Sequence, residues 1–114
     1  MEYLDHEYLV PIIIGSGKKA TTAAKRIRKQ TGAEVHIFSD GFSLCQRLLY
    51  RCHKVEPMKA DLLEMSLKAF AESIEEYFFP VIILCGEDAE KILDEKTESL
   101  ESAFVLARYD EITG

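Results

Sequence analysis

The residues best suited to chemistry form a glycine-rich segment, Gly15-Ser16-Gly17-Lys18-Lys19-Ala20, near the start of the chain. An apolar run precedes this segment and a helical pattern follows it. In that context glycines let the backbone approach a ligand, and the free N–H groups at the helix start attract anions. The segment is not a Walker A loop, because Ile12 stands where that motif needs a glycine and Lys19 where it needs Ser or Thr. It fits the looser G-x-G-x-x-A pattern of dinucleotide-binding folds, and a plain strand-to-helix turn would use the same glycines.

Two other segments contribute candidate ligand-binding groups. Asp40 follows the second predicted strand, roughly where the dinucleotide fingerprint has its ribose-binding acid. The loop Cys85-Gly86-Glu87-Asp88 follows another strand, and its carboxylates either face the same crevice or cap the next helix. Lys18 and Lys19 either clamp an anion or supply surface charge. The predicted ligand-binding residues are Gly15, Ser16, Gly17, Lys18, Asp40, Gly86, Glu87 and Asp88.

The sequence offers no self-sufficient catalytic or metal-binding constellation. It has no Ser-His-Asp elbow and no H-E-x-x-H motif, and its three cysteines are scattered rather than paired. His36 and His53 lack a partner at metal-ligand spacing, so we expect partly buried histidines with satisfied hydrogen bonds. We therefore predict no catalytic residue, no metal ligand and no cofactor in this chain.

Apolar runs alternate with amphipathic segments along the chain. The runs Tyr8–Ile14 and Phe79–Cys85 are continuous and rich in β-branched residues, which is typical of parallel strands buried on both faces. Pro11 departs from that pattern, because proline cannot donate to a ladder and prefers a strand start or an edge. Further strands are predicted at 33–38, 51–56 and 104–107, with helices at 18–31, 42–50, 61–77 and from 86 to about 99.

This β-α-β-α-β-α-β-α-β order predicts an α/β fold, a three-layer αβα Rossmann-like parallel sheet of about five strands. Strand order 3-2-1-4-5 puts the two most apolar strands in the centre. Ligands of such sheets bind beyond the carboxyl ends of the strands, where the winding reverses. That crevice would lie between the loops that follow Ile14 and Cys85.

Length and charge narrow the class of protein. A chain of 114 residues is expected to form one domain, residues 1–114. The longest apolar runs are too short to span a bilayer, and the acidic N-terminus is unlike a targeting segment, so we expect a cytoplasmic protein without a membrane partner. Residues 1–54 carry nine Lys or Arg and five Asp or Glu, whereas residues 55–114 carry five and fifteen. One basic helix on an acidic protein argues against nucleic-acid binding and leaves a small anionic ligand open.

Four segments together resemble the N-terminal pre-ATP-grasp domain of the ATP-grasp ligases, in the branch of D-aspartate ligase and carbamoyl-phosphate-synthase-like proteins. They are the opening strand and glycine loop 10–17, the stretch 43–57 with Tyr50-Arg51-Cys52-His53, the strand and Gly-Glu-Asp element 79–88, and the stretch 100–112.

The resemblance implies a substrate-cleft domain of a carboxylate-amine ligase that is inactive alone. It implies an ATP-grasp partner domain in cis or trans, which would bring ATP and Mg²⁺. The residues carried over are Gly15, Ser16, Gly17, Gly86, Glu87 and Asp88, while Lys18 and Lys19 depart from the expected small or apolar residues.

Two alternatives belong to other functional classes. The first is a regulatory Rossmann module that senses a nucleotide or NAD, like the cytosolic domains attached to ion channels. The second is a dimerisation or scaffold domain, and a homodimer is left open.

Overall fold

The structure, a computed structural model, describes residues 9–15, 17–41, 44–56, 58–74 and 78–108. Strands and helices alternate through this part of the chain. The strands are β1 (Leu9–Ile14), β2 (His36–Ser39), β3 (Arg51–Lys54), β4 (Phe79–Leu84) and β5 (Val105–Arg108). The helices are α1 (Gly17–Thr31), α2 (Leu44–Leu49), α3 (Ala60–Ser73), α4 (Glu87–Leu93) and α5 (Thr97–Glu101), with a 3₁₀ turn at Asp94–Lys96.

The five strands form one parallel sheet in the order β3-β2-β1-β4-β5. The predicted α/β Rossmann-like fold and its strand order are confirmed. The long apolar strands β1 and β4 pair side by side from Leu9↔Phe79 to Ile14↔Leu84. The winding reverses between these two strands, because β2 and β3 lie on one side of β1 and β4 and β5 on the other.

Apolar residues fill both faces of the sheet and give three layers. Alternate residues of each strand point to opposite faces, so Ile12 and Ile82 belong to one core and Ile13 and Ile83 to the other. The first core is closed by leucines of α3, α4 and α5, namely Leu63, Leu67, Leu93 and Leu100, all fully buried. The second core is closed by the small residues and isoleucine of α1, namely Ala20, Ala23, Ala24 and Ile27.

Pro11 lies in a central strand, contrary to the usual preference of proline for edges. The pairing register explains why the sheet tolerates it. Strand β2 pairs with β1 only from Ile12 onward, opposite His36. On that side of β1 no ladder hydrogen bond is required at Pro11, so its missing N–H leaves no partner unsatisfied there.

The single helix predicted from Gly86 to about Ser99 is wrong, because the chain breaks it into α4, the 3₁₀ turn and α5. The Thr97 hydroxyl donates to the backbone carbonyls of Leu93 and Asp94, each at 3.2 Å, and such local bonds compete with a continuous helix. Leu93 and Leu100 are both fully buried, so the break leaves both leucines in the core.

The remaining boundaries differ from prediction by a few residues. The second strand begins at His36 rather than Ala33, and α3 runs from Ala60 to Ser73, while residues 75–77 lie outside the described part of the chain. Across the described ranges, no helix combines the length and apolar character needed to cross a membrane.

Candidate functional site

A cleft of about 720 Å³ opens at the carboxyl ends of the strands, at the point where the winding reverses. Ile14 and Gly15 of the β1 loop line one part, and Cys85 and Gly86 of the β4 loop line another. The two loops are held together because the Cys85 N–H donates to the Ile14 carbonyl at 3.0 Å. The predicted crevice between these loops is therefore present, and its volume is that of a small-molecule site.

Gly15 lies where the two loops come closest. A Cβ at this position would stand 2.8 Å from the carbonyl oxygen of Cys85 and 3.1 Å from its Cβ. No side chain fits there without moving the backbone of the neighbouring loop. The N–H of Gly15 donates to the carbonyl of Phe38 at 3.4 Å, which ties the β1 loop to β2 as well.

Helix α1 begins at Gly17 and presents the positive end of its dipole near the cleft. Its first turn holds no acidic residue, although acids are the usual stabilising choice there. Instead it holds Lys18 and Lys19, both exposed. Lys19 lines the cleft. Two cations beside a positive helix end repel each other and the dipole, so a bound anion would stabilise this arrangement.

Asp40 contributes a carboxylate to the cleft from the end of β2. Its side chain is exposed, and the hydroxyl of the buried Ser39 donates to it at 3.4 Å. Ser39 is in turn fixed to β3, because its carbonyl accepts the N–H of Val55 at 2.8 Å. A carboxylate held in this way at a strand end can accept hydrogen bonds from ligand hydroxyl groups.

Several further residues that line the cleft were not predicted from the sequence. Met58, after β3, and Ala89 and Ile92, on α4, supply apolar surface. Lys91, also on α4, supplies a second cation besides Lys19. The cleft thus combines apolar walls with two ammonium groups and one carboxylate among its described lining side chains.

The predicted site residues differ in where the structure places them. Gly15, Asp40 and Gly86 line the cleft, whereas the exposed Lys18 is not among its lining residues and Lys19 takes that place. Gly17 begins α1, and Glu87 and Asp88 form the first turn of α4, although their carboxylate positions lie outside what the structure describes. Ser16 lies outside the described residues.

Gly86 adopts a backbone conformation that favours glycine, with φ +101° and ψ 159°. Its position just before α4 turns the chain sharply out of β4. Its carbonyl accepts the N–H of Glu90 at 3.2 Å and so closes the first turn of α4.

Cys85 lies on the cleft but is poorly suited to act as a nucleophile. Burial raises the pKa of its thiol to about 11, only partly offset by the charge of Lys19. The thiolate is the reactive form of cysteine, so a buried thiol of raised pKa is inert at neutral pH.

His36 and His53 behave as expected from the sequence. They are half-buried, and the Nδ1 of His36 and the Nε2 of His53 are hydrogen-bonded at 3.0 Å. Among the residues that the structure describes, no group of three or more His, Cys, Asp or Glu is arranged to hold a metal ion.

No protein-family model and no curated protein matches this chain. A solved structure does: the Kef C-terminal domain of Shewanella denitrificans in an AMP-bound form, with a TM-score of 0.58 and 17% sequence identity. The alignment covers 87% of this chain and 57% of that chain, so this chain spans little more than half the length of its structural relative. At this identity the likeness shows the Rossmann-like fold.

This comparison overturns the resemblance to pre-ATP-grasp domains. The identification with ATP-grasp ligases, including the D-aspartate ligase and carbamoyl-phosphate-synthase-like branch, is wrong. Two of the four features behind it were an apolar first strand with a glycine loop and a Gly-Glu-Asp element after the fourth strand. Any doubly wound sheet needs a tight turn after each central strand and a cap at the next helix, so these features do not separate families. The alternative interpretation, a nucleotide-sensing Rossmann module, agrees better with the comparison.

Proposed function

We propose that this chain is a regulatory module that binds an adenine nucleotide, with AMP as the first candidate, in the cleft at the ends of β1, β2 and β4. The observation that carries the proposal is the composition of that cleft. A cation-bearing helix start and a strand-end carboxylate line the same opening as Met58 and Ile92. The AMP-bound form of a structural relative with the same fold supports this choice of ligand.

Each part of the nucleotide has a matching group in the cleft. The phosphate would lie at the start of α1, where unpaired backbone N–H groups and the ammonium of Lys19 favour negative charge. Asp40 would accept hydrogen bonds from the ribose hydroxyls. The apolar surface of Met58 would lie against the base. Lys91, which also lines the cleft, is available for a second anionic group.

The backbone of the cleft itself requires glycine at positions 15 and 86. Gly15 has no space for a Cβ. Gly86 needs its positive φ to turn the chain out of β4 and into α4. These two residues would therefore shape the site without contributing a side chain. Cys85 between the loops is inert, so we propose binding without covalent chemistry.

Isothermal titration calorimetry of the purified chain with AMP, and separately with NADH, tests the proposal. We expect a single site in the micromolar range for at least one of them, and we expect Asp40→Asn to weaken it by about tenfold or more, because a hydrogen bond to a charged group contributes about 1.5–3 kcal/mol. Glu72→Gln, which changes an exposed acid on α3, is the matched control and should bind like the wild type.

Two lysines of one helix turn make a sharper comparison. Lys19→Gln should weaken nucleotide binding and reduce its dependence on salt, because Lys19 lines the cleft. Lys18→Gln removes the same charge from the same turn on the exposed side and should have a much smaller effect. Absence of binding to both nucleotides at millimolar concentration, or an equal effect of the two lysine substitutions, would contradict the proposed site.

A further inference from the structure

A cluster of four rings joins β2, β3 and α3 just below the cleft. His36 and Phe38 belong to β2, His53 to β3 and Phe70 to α3. The ring of His53 stacks on Phe38 with centroids 4.4 Å apart and planes 9° apart. Phe70 packs against both histidines, at 4.7 Å from His36 and 5.3 Å from His53. The two imidazoles are therefore enclosed by aromatic surface on the side of the core.

The hydrogen bond between the imidazoles limits the charge that the cluster can hold. Nδ1 of His36 and Nε2 of His53 are 3.0 Å apart, so one ring must donate and the other must accept. Two imidazolium rings would direct two N–H groups at each other and break the bond. Each proton is also disfavoured, because burial lowers the pKa of both rings, and the charge of His53 adds to burial in lowering that of His36 to about 4.

The charged groups around the pair do not compensate for an added proton. Glu34, next to β2, raises the pKa of His36, but Arg51 on β3 lowers it and is paired with Glu34. Lys54, at the end of β3, lines the neighbouring 380 Å³ cavity and pairs with Glu56 at 3.1 Å. Helix α3 lines that cavity only with the uncharged residues Ser66, Ala69 and Phe70.

The cluster is connected to the cleft through Phe38. The Phe38 side chain is 1% exposed, and its carbonyl accepts the N–H of Gly15 at 3.4 Å. The next two residues of the chain are Ser39 and Asp40, both of which line the cleft. A displacement of Phe38 would therefore reach the glycine loop and the carboxylate together.

We infer that the His36–His53 pair makes ligand binding in the cleft sensitive to acid. The neutral, hydrogen-bonded pair holds Phe38 in place, and with it Gly15 and Asp40. Protonation of both rings breaks the hydrogen bond between them, releases Phe38 and loosens both ligand-binding groups. This inference rests on the proposed nucleotide site, and it adds a regulatory input to that site.

Nucleotide affinity at two pH values tests the inference. AMP binding is measured by calorimetry at pH 7.5 and pH 4.0 for the wild type, for His36→Phe/His53→Phe, which keeps the aromatic packing, and for His6→Gln, which removes the remaining histidine of the chain. AMP phosphate itself titrates in this range, and the double variant shares that effect, so the difference between the proteins reports the pair alone. We expect affinity to fall about twofold more in the wild type and in His6→Gln than in the double variant, because about half of the His36 rings are protonated at a pH equal to their pKa. An equal fall in all three overturns the inference.

A second measurement needs neither ligand nor variant. NMR titration of the wild type follows the His36 and His53 ring protons and the Gly15 amide over the same pH range. We expect the chemical shift of the Gly15 amide to change with the same midpoint as those of the ring protons. A Gly15 amide shift that stays constant while the rings titrate overturns the coupling. If AMP and NADH do not bind at pH 7.5, the proposed function fails, and this measurement still decides whether the pair and the glycine loop are coupled.

Discussion

Replacing Gly15 by alanine should separate the two loops that form the cleft. The new Cβ would lie 2.8 Å from the carbonyl oxygen of Cys85 and 3.1 Å from its Cβ. Real Cβ atoms do not approach a backbone oxygen that closely, so either β1 or β4 must shift at its end. The hydrogen bond from the Cys85 N–H to the Ile14 carbonyl, 3.0 Å long, spans the same gap and would be stretched.

The loss in the free energy of unfolding follows from the space that the new methyl group must take. Forcing an extra carbon into a packed site costs about 1–3 kcal/mol. Alanine does not regain the ~0.4–1 kcal/mol that it contributes elsewhere by restricting the unfolded chain, because the φ of Gly15, +156°, is one that L residues rarely adopt. We therefore expect Gly15→Ala to lower the free energy of unfolding by about 2 kcal/mol, a substantial part of the ~5–15 kcal/mol of a typical domain.

Gly41→Ala is the matched control, because a Cβ at Gly41 would meet no atom within 4 Å. Its stability should equal or slightly exceed that of the wild type. Urea unfolding followed by circular dichroism measures both variants, and a thermal scan should separate them by about 8–12 °C at this chain length. If Gly15→Ala unfolds at the same urea concentration as Gly41→Ala, the close approach of the two loops is not what requires glycine at position 15.

Three further outcomes can be measured on the same protein. Leu67→Ala should lower the free energy of unfolding by about 2–5 kcal/mol because Leu67 is fully buried, whereas Leu48→Ala, at a position 76% exposed, should stay within about 0.5 kcal/mol in urea titrations. The folded pKa of His36 is about 4, below its ordinary 6.5, so the unfolded chain binds more protons between these values. We expect no loss in the free energy of unfolding above pH 6.5 and a fall of up to about 3 kcal/mol as the pH approaches 4. Unfolding curves recorded across that range measure this change. A free energy of unfolding that does not change with pH would contradict the burial of a neutral ring. Iodoacetamide at pH 8 should label Cys85 much more slowly in the native than in the urea-unfolded protein, as mass spectrometry of peptides would show, and rapid native labelling would contradict its burial.

The strand order could be predicted because hydrophobicity shows which two strands lie in the centre of the sheet. β1 and β4 are the two runs apolar enough to be covered on both faces, and a parallel sheet needs such strands in its centre. Strands that follow one another in the chain usually lie side by side, which places β2 and β3 beyond β1 and β5 beyond β4. The break between α4 and α5 could not be predicted in this way, because it coincides with the local hydrogen bonds of the Thr97 hydroxyl, which leave no periodic signal in the sequence.

The choice between Lys18 and Lys19 could have been made from the sequence. Ala20, Ala23, Ala24 and Ile27 define the buried side of α1. At about 100° per residue, Lys18 lies opposite the centre of that side and Lys19 lies at its border. A residue at the border of a buried stripe can reach a cleft at the end of the sheet, whereas a residue opposite the stripe points to solvent.

The sequence could not predict that Met58, Lys91 and Ile92 line the cleft. Each reaches the cleft through the path of a loop or the rotation of a short helix against the sheet. Neither property leaves a periodic signal in the chain. The mistaken ligase resemblance has a related cause, since the residues compared were those that every fold of this topology needs.

The net charge of −6 would suggest a protein that repels nucleotides, and the distribution of charge explains why it need not. Helices α1 and α2 hold seven Lys or Arg and no Asp or Glu, and α2 is attached to α1 through the side chains of Gln46 and Thr21. The acids are concentrated in α3, α4 and α5, which pack on the other face of the sheet. At physiological salt, exposed charges interact over only about 8 Å, so a phosphate in the cleft responds to nearby cations such as Lys19 and Lys91. The far acids then affect the rate of encounter more than the strength of binding. Raising the salt concentration should therefore weaken nucleotide binding, even though the protein as a whole carries the same sign of charge as its ligand.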